Sequence, residues 1–451
     1  MREGEKEPFG AIGKRAALWL AFLAPFFYAT YGGANWLAAQ RLNVPNAAFW
    51  WENWIPFLPW TIIPYWSINA FYALSLFLND AKADVDRLAA RYLTVQLVAV
   101  LCFIAFPLTV IFARPETSGL PGVLFDILGG FDKPFNQAPS LHIALLVIIW
   151  DHLRKRFNGP WLVVWHLWCV LIGASVLTTW QHHFIDIPTG ALLGLFALWL
   201  FPRQGRSPFS SFRFTAEPRN RRLGGYYAAG ATAFLASAWL GASSSALWLA
   251  LLWPALALAI VAFAYFGAGV AVFQKREDGS LSLASAILLW PYRLGARLNV
   301  WAWTRNLPAA VKIAAGGSDA AGPASIFLGR FPSAAEAARF DLVVDLAAEF
   351  GRPRNGRPRN ARANWRAAPM LDLARPDDAA LRQAVEAIAS CAGGSVLVCC
   401  ALGFQRSASV VASWLVANGR AANFEEAEAL LRAAGRPVRL HRDSLAAASA
   451  A

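Results

Sequence analysis

The feature that most limits what this chain can fold into is a series of apolar stretches about as long as a bilayer is thick. Roughly 17 to 25 consecutive apolar residues can cross a bilayer as one helix. Stretches of this kind run from Ala16 to Leu37, Ile55 to Leu78, Tyr92 to Phe112, Ser140 to Leu153, Trp161 to Thr179, Phe184 to Phe201, Gly225 to Leu240 and Ala246 to Phe266. The fourth is short and ends in the polar pair Asp151-His152. Only 15% of the 451 residues are charged, against about 25% in soluble domains. The 21 Trp and 31 Phe residues fit the aromatic enrichment of membrane interfaces.

Charge in the connections sets orientation. Lys14 and Arg15 precede the first stretch, and Lys82, Arg87 and Arg91 lie between the second and third. Arg154, Lys155 and Arg156 separate the fourth and fifth, and Arg203, Arg206, Arg213, Arg219, Arg221 and Arg222 follow the sixth. The alternate connections carry only Arg41, then Arg114 and Lys133, then nothing basic. The positive-inside rule places the N-terminus and every strongly basic loop in the cytoplasm, and an even number of spans returns the C-terminus there. The net charge of +13 is then a product of topology, and nucleic acid is not an expected partner. The expected location is a multi-pass position in a bacterial inner membrane. The long first stretch has no evident cleavage site and reads as a retained anchor rather than a signal peptide. The five cysteines, Cys102, Cys169, Cys391, Cys399 and Cys400, form no evident disulfide framework.

Four segments follow from these shifts. Residues 1–203 hold six spans, and 204–268 hold the basic loop and two more. In 269–323 the turn QKREDGS precedes Trp290, Trp301 and Trp303 with interleaved arginines. Two readings of that segment stay open, a helix lying in the headgroup region and an ordinary linker packed on the next domain. Residues 324–451 alternate short apolar strands (SIFLG, DLVVDLA, SVLVCC) with charged helical stretches (DDAALRQAVEAIA, FEEAEALLRAAG), as expected of one α/β domain. The fold class expected is a polytopic α-helical membrane domain of about eight helices with a C-terminal α/β domain.

Of the six histidines, His142, His152, His166, His182, His183 and His441, two stand in suggestive surroundings. NQAPSLHIA puts Pro139, Ser140 and His142 where an outer loop enters the fourth span. TTWQHHFIDIPTG puts His182 and Asp186 where the fifth span leaves and the sixth begins. An antiparallel hairpin of the fourth and fifth spans brings these positions together on the outer face. If that stretch is helical, His182 and Asp186 share a face, and the carboxylate fixes the imidazole tautomer. Arg114 adds a cation on the same side. A histidine nucleophile, an orienting carboxylate, a second histidine as acid and cations on the equatorial oxygens suit phosphoryl transfer. His152, His166 and His183 read as structural.

Over roughly residues 90 to 200 these motifs resemble the PAP2 superfamily of membrane phosphatases and phosphotransferases, with PSLH as the second block and HHFID within the third. The resemblance implies a six-helix core, with His182 as nucleophile, Asp186 as its partner, His142 as general acid, and Arg114, Lys133 and Ser140 on the phosphate. Pro107 stands where the family has lysine, and Val176 where it has arginine. Leu141 and the missing cations lean toward the inositol-phosphorylceramide-synthase-like branch, which transfers phosphorylated headgroups.

The second site lies in SVLVCCALGFQRSASVVASWLVANG, an apolar strand, a tight loop and a helix stopping at Asn418-Gly419. Backbone N–H groups converge on an anion at such a helix start. The helix end and Arg406 favour a thiolate at the loop's mouth. Arg406 can hold two phosphate oxygens as a planar fork, and Ser407 can stabilise the departing thiolate. Cys400 gives the Cys-x5-Arg spacing, whereas Cys399 gives Cys-x6-Arg. From Ala324 to Arg439 the domain resembles the dual-specificity branch of cysteine-dependent phosphatases. The resemblance implies Cys400 as nucleophile and Ala401, Leu402, Gly403, Phe404 and Gln405 as the phosphate loop. It also implies Asp372 as general acid, with Asp377 and Asp378 as rivals. Cys399 occupies the position where that family has histidine, and its role stays open between a loss of loop support and a resolving thiol.

Neither site calls for a metal or cofactor. The leading expectation is a bifunctional enzyme of lipid phosphates at the bilayer, with hydrolysis and transfer both open for the histidine site. The alternative is a membrane-anchored tyrosine or dual-specificity phosphatase acting on phosphoproteins, with a sensing or structural membrane half. A transporter or scaffold with structural histidines is the reading outside enzymology.

Overall fold

The computed structural model describes residues 8–313, 322–353 and 364–440; His441 lies outside them. The chain divides into two compact units, one of Met1–Gln204 with Leu235–Leu252 and one of Gly205–Phe234 with Trp253–Ala451.

The first unit is helical. Its elements are α1 (Phe9–Ala39), α2 (Ile62–Phe77), α3 (Lys82–Ala105), α4 (Gly119–Phe131), α5 (Leu141–Leu153), α6 (Pro160–Thr178) and α7 (Asp186–Leu200), with a 3-10 turn at Trp50–Trp54. The next helix, α8 (Pro218–Ala242), contains the boundary between the units. Four described stretches are long and apolar enough to cross a membrane, Phe9–Ala39, Lys82–Ala105, Pro160–Thr178 and Ala246–Phe273, which is consistent with a membrane protein. These are four of the eight expected spans; of the others, α5 and α7 are apolar but short, with 13 and 15 residues, and α2 and α8 also fall outside the four.

The third stretch, expected over Tyr92 to Phe112, is corrected. Its helix begins at Lys82 and ends at Ala105, before Pro107, whose ring disfavours helical backbone in the preceding residue. Residues 107–118 then run without helix, and a separate apolar helix, α4, follows.

Two contacts in this unit matter for the site. Ser140 caps α5, its Oγ accepting from Ile143 N at 3.3 Å. Helix α7 carries Gly190 and Gly194 against α5. A Cβ at Gly190 would lie 2.4 Å from Ser140 O, and one at Gly194 would lie 2.6 Å from Ala144 O. Glycines four apart let two helix backbones approach closely, which holds the start of α7 beside the start of α5.

The second unit contains a five-stranded sheet of β1 (Ala310–Ile313), β2 (Ser325–Arg330), β3 (Leu342–Ala347), β4 (Asn364–Met370) and β5 (Ser395–Cys400), in the order β1-β2-β5-β3-β4. All pairings are parallel except β1 on β2. The helices of this unit are α9 (Leu252–Phe263), α10 (Leu283–Leu288), α11 (Trp290–Thr304), α12 (Ala334–Ala337), α13 (Asp378–Ala389), α14 (Arg406–Ala417) and α15 (Phe424–Ala433). Strand alternation sorts β5 onto two cores. Val396, Val398 and Cys400 pack with Leu381, Ile388, Val411 and Leu415, while Leu397 and Cys399 pack with Val343 and Trp365.

The segment expected as 269–323 is built into this unit. Lys275 pairs with Leu281 as an isolated bridge, and Ala367 N donates to Glu277 O at 3.0 Å. Lys275 Nζ donates to Asp345 at 2.5 Å and to Ala347 O, inside the sheet. Ala296 and Val300 of α11 pack on Ala347, Phe350 and Ala401, while Trp290, Trp301 and Trp303 stay exposed.

Candidate functional sites

In the helical unit, His182 and Asp186 meet without sharing a helix. Asp186 is the first residue of α7, and His182 lies in the preceding turn, after Trp180 at φ 54°. The helical pairing expected from their spacing is therefore corrected to a pairing across a helix start. His182 Nδ1 lies 3.0 Å from Asp186 Oδ2, which also accepts the backbone N–H of His183 at 3.0 Å. The other imidazole nitrogen, Nε2, lies 3.3 Å from Ser140 Oγ. Asp186 is fully buried and His182 nearly so. A carboxylate fixed by a backbone donor and gripping one nitrogen leaves the opposite nitrogen as the reactive one.

His142 follows on α5. Its ring stacks on Tyr65 at 4.1 Å between centroids, and its buried Nε2 has no partner. Arg114 lies over the Phe125 ring at 4.8 Å, with its buried Nη1 also unpartnered. Asp132 accepts from Tyr31 Oη at 2.8 Å, and its electrostatic neighbours include His182 and Arg114. Burial pushes the Asp132 carboxyl up from its ordinary value against the pull of those two groups. Lys133 is exposed. The helical packing thus gathers His142, His182, Asp186, Ser140 and Arg114, while Lys133 sits at the surface.

The remaining described histidines are engaged elsewhere. His183 Nδ1 lies 2.7 Å from Glu52 Oε2, and its Nε2 accepts from Ile111 N at 3.2 Å. Its Nε2 thus fastens the irregular segment that carries Arg114, and its Nδ1 ties that segment to the 3-10 turn at Trp50–Trp54. His152 lies 3.0 Å from Leu78 O, and His166 accepts from Trp150 Nε1 at 2.9 Å.

In the α/β unit, β5 ends at Cys400 and α14 begins at Arg406, so the loop between them spans five residues. Gly403 adopts φ +79° and donates its N–H to Cys400 Sγ at 3.2 Å. A Cβ there would lie 2.6 Å from the Gly329 carbonyl, so only glycine fits. Ser407 Oγ lies 3.3 Å from the same sulfur. The loop's carbonyls are committed outward: Ala401 O accepts from Phe331 N at 3.1 Å, Leu402 O from Arg436 Nη2 at 2.8 Å and Phe404 O from Arg439 N at 3.0 Å. Gln405 O accepts from Ser409 N at 2.8 Å, inside the helix start. With its carbonyls turned to other donors, the loop keeps amides for an anion.

Arg406 is buried and gripped by Glu349, with contacts of 2.7 and 2.9 Å, and Nη1 also donates to Met370 O at 3.0 Å. Nη2 lies 3.0 Å from Asp372 Oδ1, and Nε has no partner. Burial works against the Arg406 charge, but Asp372 and Glu349 outweigh it and hold its pKa well above the ordinary range. Burial likewise pushes the Glu349 carboxyl up, yet the guanidinium overrides this and leaves it below its ordinary value. Glu349 thus anchors the fork by one edge and leaves Nε–H for a ligand.

Asp372 follows β4, beside Leu373 at φ 55°. Its backbone carbonyl accepts from Tyr265 Oη at 2.8 Å. Tyr265 stacks with Tyr227 at 5.4 Å, and Tyr292 meets Tyr227 edge-on at 5.8 Å. Asp377 caps α13 through Ala380 N at 3.1 Å, and Asp378 lies in the helix's first turn. Of the three carboxylates, the structure brings Asp372 alone to Arg406. Cys399 is fully buried on the opposite face of β5, where burial and then Asp345 push its thiol well up.

Sequence reasoning missed Glu349, Arg436 and Tyr265 here, and Glu52, Tyr65 and Asp132 in the helical unit. Only Glu349 left a readable signal, an acid just past the end of an apolar strand.

No protein-family model matches the chain, and no curated protein matches it. Two solved structures are similar to part of it. One is Tk-PTP in a glycine-to-alanine mutant form, 24% identical, covering 28% of this chain and 89% of that one with a TM-score of 0.24. The other is Tk-PTP in its active form, 20% identical, covering 32% of this chain and 95% of that one with a TM-score of 0.25.

Proposed function

We propose that the chain is an integral-membrane enzyme with two phosphoryl-transfer sites. The cysteine site hydrolyses a phosphomonoester on a lipid headgroup, and the histidine site hydrolyses or transfers a lipid-linked phosphate. The observation that carries this reading is the cradle around Cys400, where Gly403 N–H and Ser407 Oγ meet the sulfur and Glu349 holds Arg406 at the start of α14. In the proposed reaction Cys400 Sγ attacks phosphorus as the bond to the leaving oxygen breaks. Asp372 gives that oxygen its proton, and Arg406 holds the non-bridging oxygens. Water then attacks the phosphocysteine, Asp372 takes up its proton, and Ser407 stabilises the departing thiolate.

At the second site His182 Nε2 would attack, Asp186 would hold the Nδ1 proton, and His142 would protonate the leaving oxygen. Arg114 and Ser140 would contact the phosphate. Water or an alcohol would then take the phosphoryl group from the histidine. The charge pattern of the loops supports a cytoplasmic Cys400 site and a periplasm-facing histidine site in a bacterial inner membrane.

A lipid is favoured over a phosphoprotein because Tyr265, within an apolar segment long enough to cross a membrane, hydrogen-bonds the backbone of the acid loop. Lipid phosphates and phosphopeptides assayed with wild type, Cys400→Ser and His182→Ala separate these readings. Cys400→Ser is expected to lower headgroup dephosphorylation about 10⁴-fold or more, with His182→Ala acting on a different lipid phosphate. Wild-type turnover confined to phosphopeptides would overturn the lipid assignment, and wild-type rates from both variants on every substrate would overturn the enzyme.

A further inference from the structure

The α8 face bearing Arg219, Arg222, Leu223 and Tyr226 follows helical spacing, with Arg222 three residues and Tyr226 seven residues beyond Arg219. Together with Pro218 and Arg439 these residues line a cavity of about 730 Å³, within the size range of small-molecule sites. Its wall carries three guanidinium groups and no carboxylate. Among the described residues none of the three has an ion-pair partner. Neighbouring Arg221 differs, donating to Ala216 O at 3.1 Å. Three unpaired cations converging on one concave surface repel one another unless an anion occupies it.

The cavity shares a chain segment with the cysteine loop. Arg439 donates its backbone N–H to Phe404 O, and Arg436, three residues earlier, donates to Leu402 O. Arg436 is itself spent on backbone carbonyls, donating also to Pro308 O at 2.7 Å, whereas the Arg439 side chain is exposed. Two anion-binding places are therefore tied to one loop, the first at Cys400 and the second on its Phe404 side.

We propose that Arg219, Arg222 and Arg439 form a second anion subsite that holds the phosphodiester of a phospholipid headgroup while its terminal phosphomonoester is presented to Cys400. This rests on the reading of Cys400 as nucleophile. A phosphodiester keeps a single charge and two non-bridging oxygens, which suit the planar guanidinium fork. Leu223 and Tyr226 supply apolar surface beside the arginines, and α8 continues as the apolar run that ends at Ala242. A substrate with one phosphate leaves the subsite empty, so the subsite selects headgroups that carry two.

The test uses the full-length protein in neutral detergent. Turnover of para-nitrophenyl phosphate, with one phosphate, is compared with that of a short-chain glycerophospholipid bearing a phosphomonoester on its headgroup. The short chains keep this substrate monomeric and separate headgroup recognition from attraction to a charged surface. With Arg219→Gln, Arg222→Gln and Arg439→Gln combined, the ratio of kcat/KM for the two-phosphate substrate to that for the one-phosphate substrate is expected to fall about 10- to 100-fold. The fall should appear chiefly in KM. The lysine triple variant is expected to lose less, since it keeps the charge without the fork. Arg222→Gln alone, at an exposed position, gives the same ratio if the triple variant folds poorly. An unchanged ratio overturns the subsite. So does a loss seen only on vesicles rich in anionic lipid, which would assign the arginines to the bilayer surface. Independently, full hydrolysis of para-nitrophenyl phosphate by Cys400→Ser would overturn the underlying reading whatever the arginines do.

Discussion

The two candidate sites assemble phosphate chemistry from opposite materials. Around Cys400 one continuous stretch supplies the sulfur, the amide donors and the arginine, and the sheet needs only to hold the ends of that stretch. Around His182 the groups come from separate helices and irregular segments, so their geometry depends on how closely those helices approach. A loop site therefore takes few groups from its surroundings, here Glu349 and Asp372, and is intolerant of change within itself. A helix-packed site is exposed to changes at residues that touch no substrate.

The sharpest way to break this contrast is to alter a contact outside each site. Gly190→Leu places side-chain atoms where the Ser140 carbonyl already lies, so α5 and α7 must separate. Misplacement of about 1 Å costs on the order of 10²-fold in rate. Turnover by the histidine site is expected to fall by that amount, while hydrolysis at Cys400 persists. Unimpaired histidine-site turnover in this variant would mean that the two helices do not set its geometry.

A smaller effect is expected from Tyr265→Phe, which removes a single hydrogen bond to the Asp372 carbonyl. One such bond is worth about 0.5–1.5 kcal/mol, so kcat at the cysteine site should fall roughly two- to tenfold. The loss should shrink for substrates whose leaving group needs no proton. An equal loss on both kinds of leaving group would point to general loosening rather than to positioning of the acid.

Cys399→Ala trims a buried side chain on the face of β5 away from Cys400. It is expected to lower stability by about 1 kcal/mol, read from a denaturant midpoint, with turnover retained. Loss of turnover at full stability would give Cys399 a chemical role.

The gentlest probe is pH. Glu349 has its folded pKa held below the ordinary value of 4.5. Its contribution to stability is complete above that ordinary value and is lost as pH falls through the lower, folded one. Acid should therefore weaken the second unit, and Glu349→Gln should flatten the acid limb of its stability curve while lowering stability at neutral pH.

How much of this was legible in the sequence follows the same contrast. Cys400, Gly403, Arg406 and Ser407 could be read because strand, loop and helix are consecutive and each has its own local signal. Tyr265 could not, because only the fold brings it to a residue far away in the chain, and Glu349 left no more than its place just past an apolar strand. In the helical unit, PSLH and HHFID mark His142, His182 and Asp186, but Asp132 and Tyr65 arrive by helix packing that periodicity does not encode. The third span was misjudged because apolar residues continue to Phe112 after Pro107 has ended the helix. Helix α4 escapes the sequence because GLPGVLFDILGG, though apolar, is shorter than a span and has glycines at both ends. For 269–323 two readings stay open in the sequence, because the contacts with the sheet that would decide between them are made by single residues such as Lys275.

That last residue has a consequence for the inheritance of the domain. Lys275 neutralises a carboxylate inside the sheet, Tyr265 clips the acid loop, and β1 covers the outer edge of β2. A fragment beginning at residue 324 would lose all three. It would carry Asp345 as a buried acid without its ammonium, a free sheet edge open to other chains, and an acid loop released from its clip. The smallest piece that could be transplanted between proteins with its chemistry intact therefore starts within the apolar segment. Selection on the Cys400 site would then also preserve part of that apolar segment.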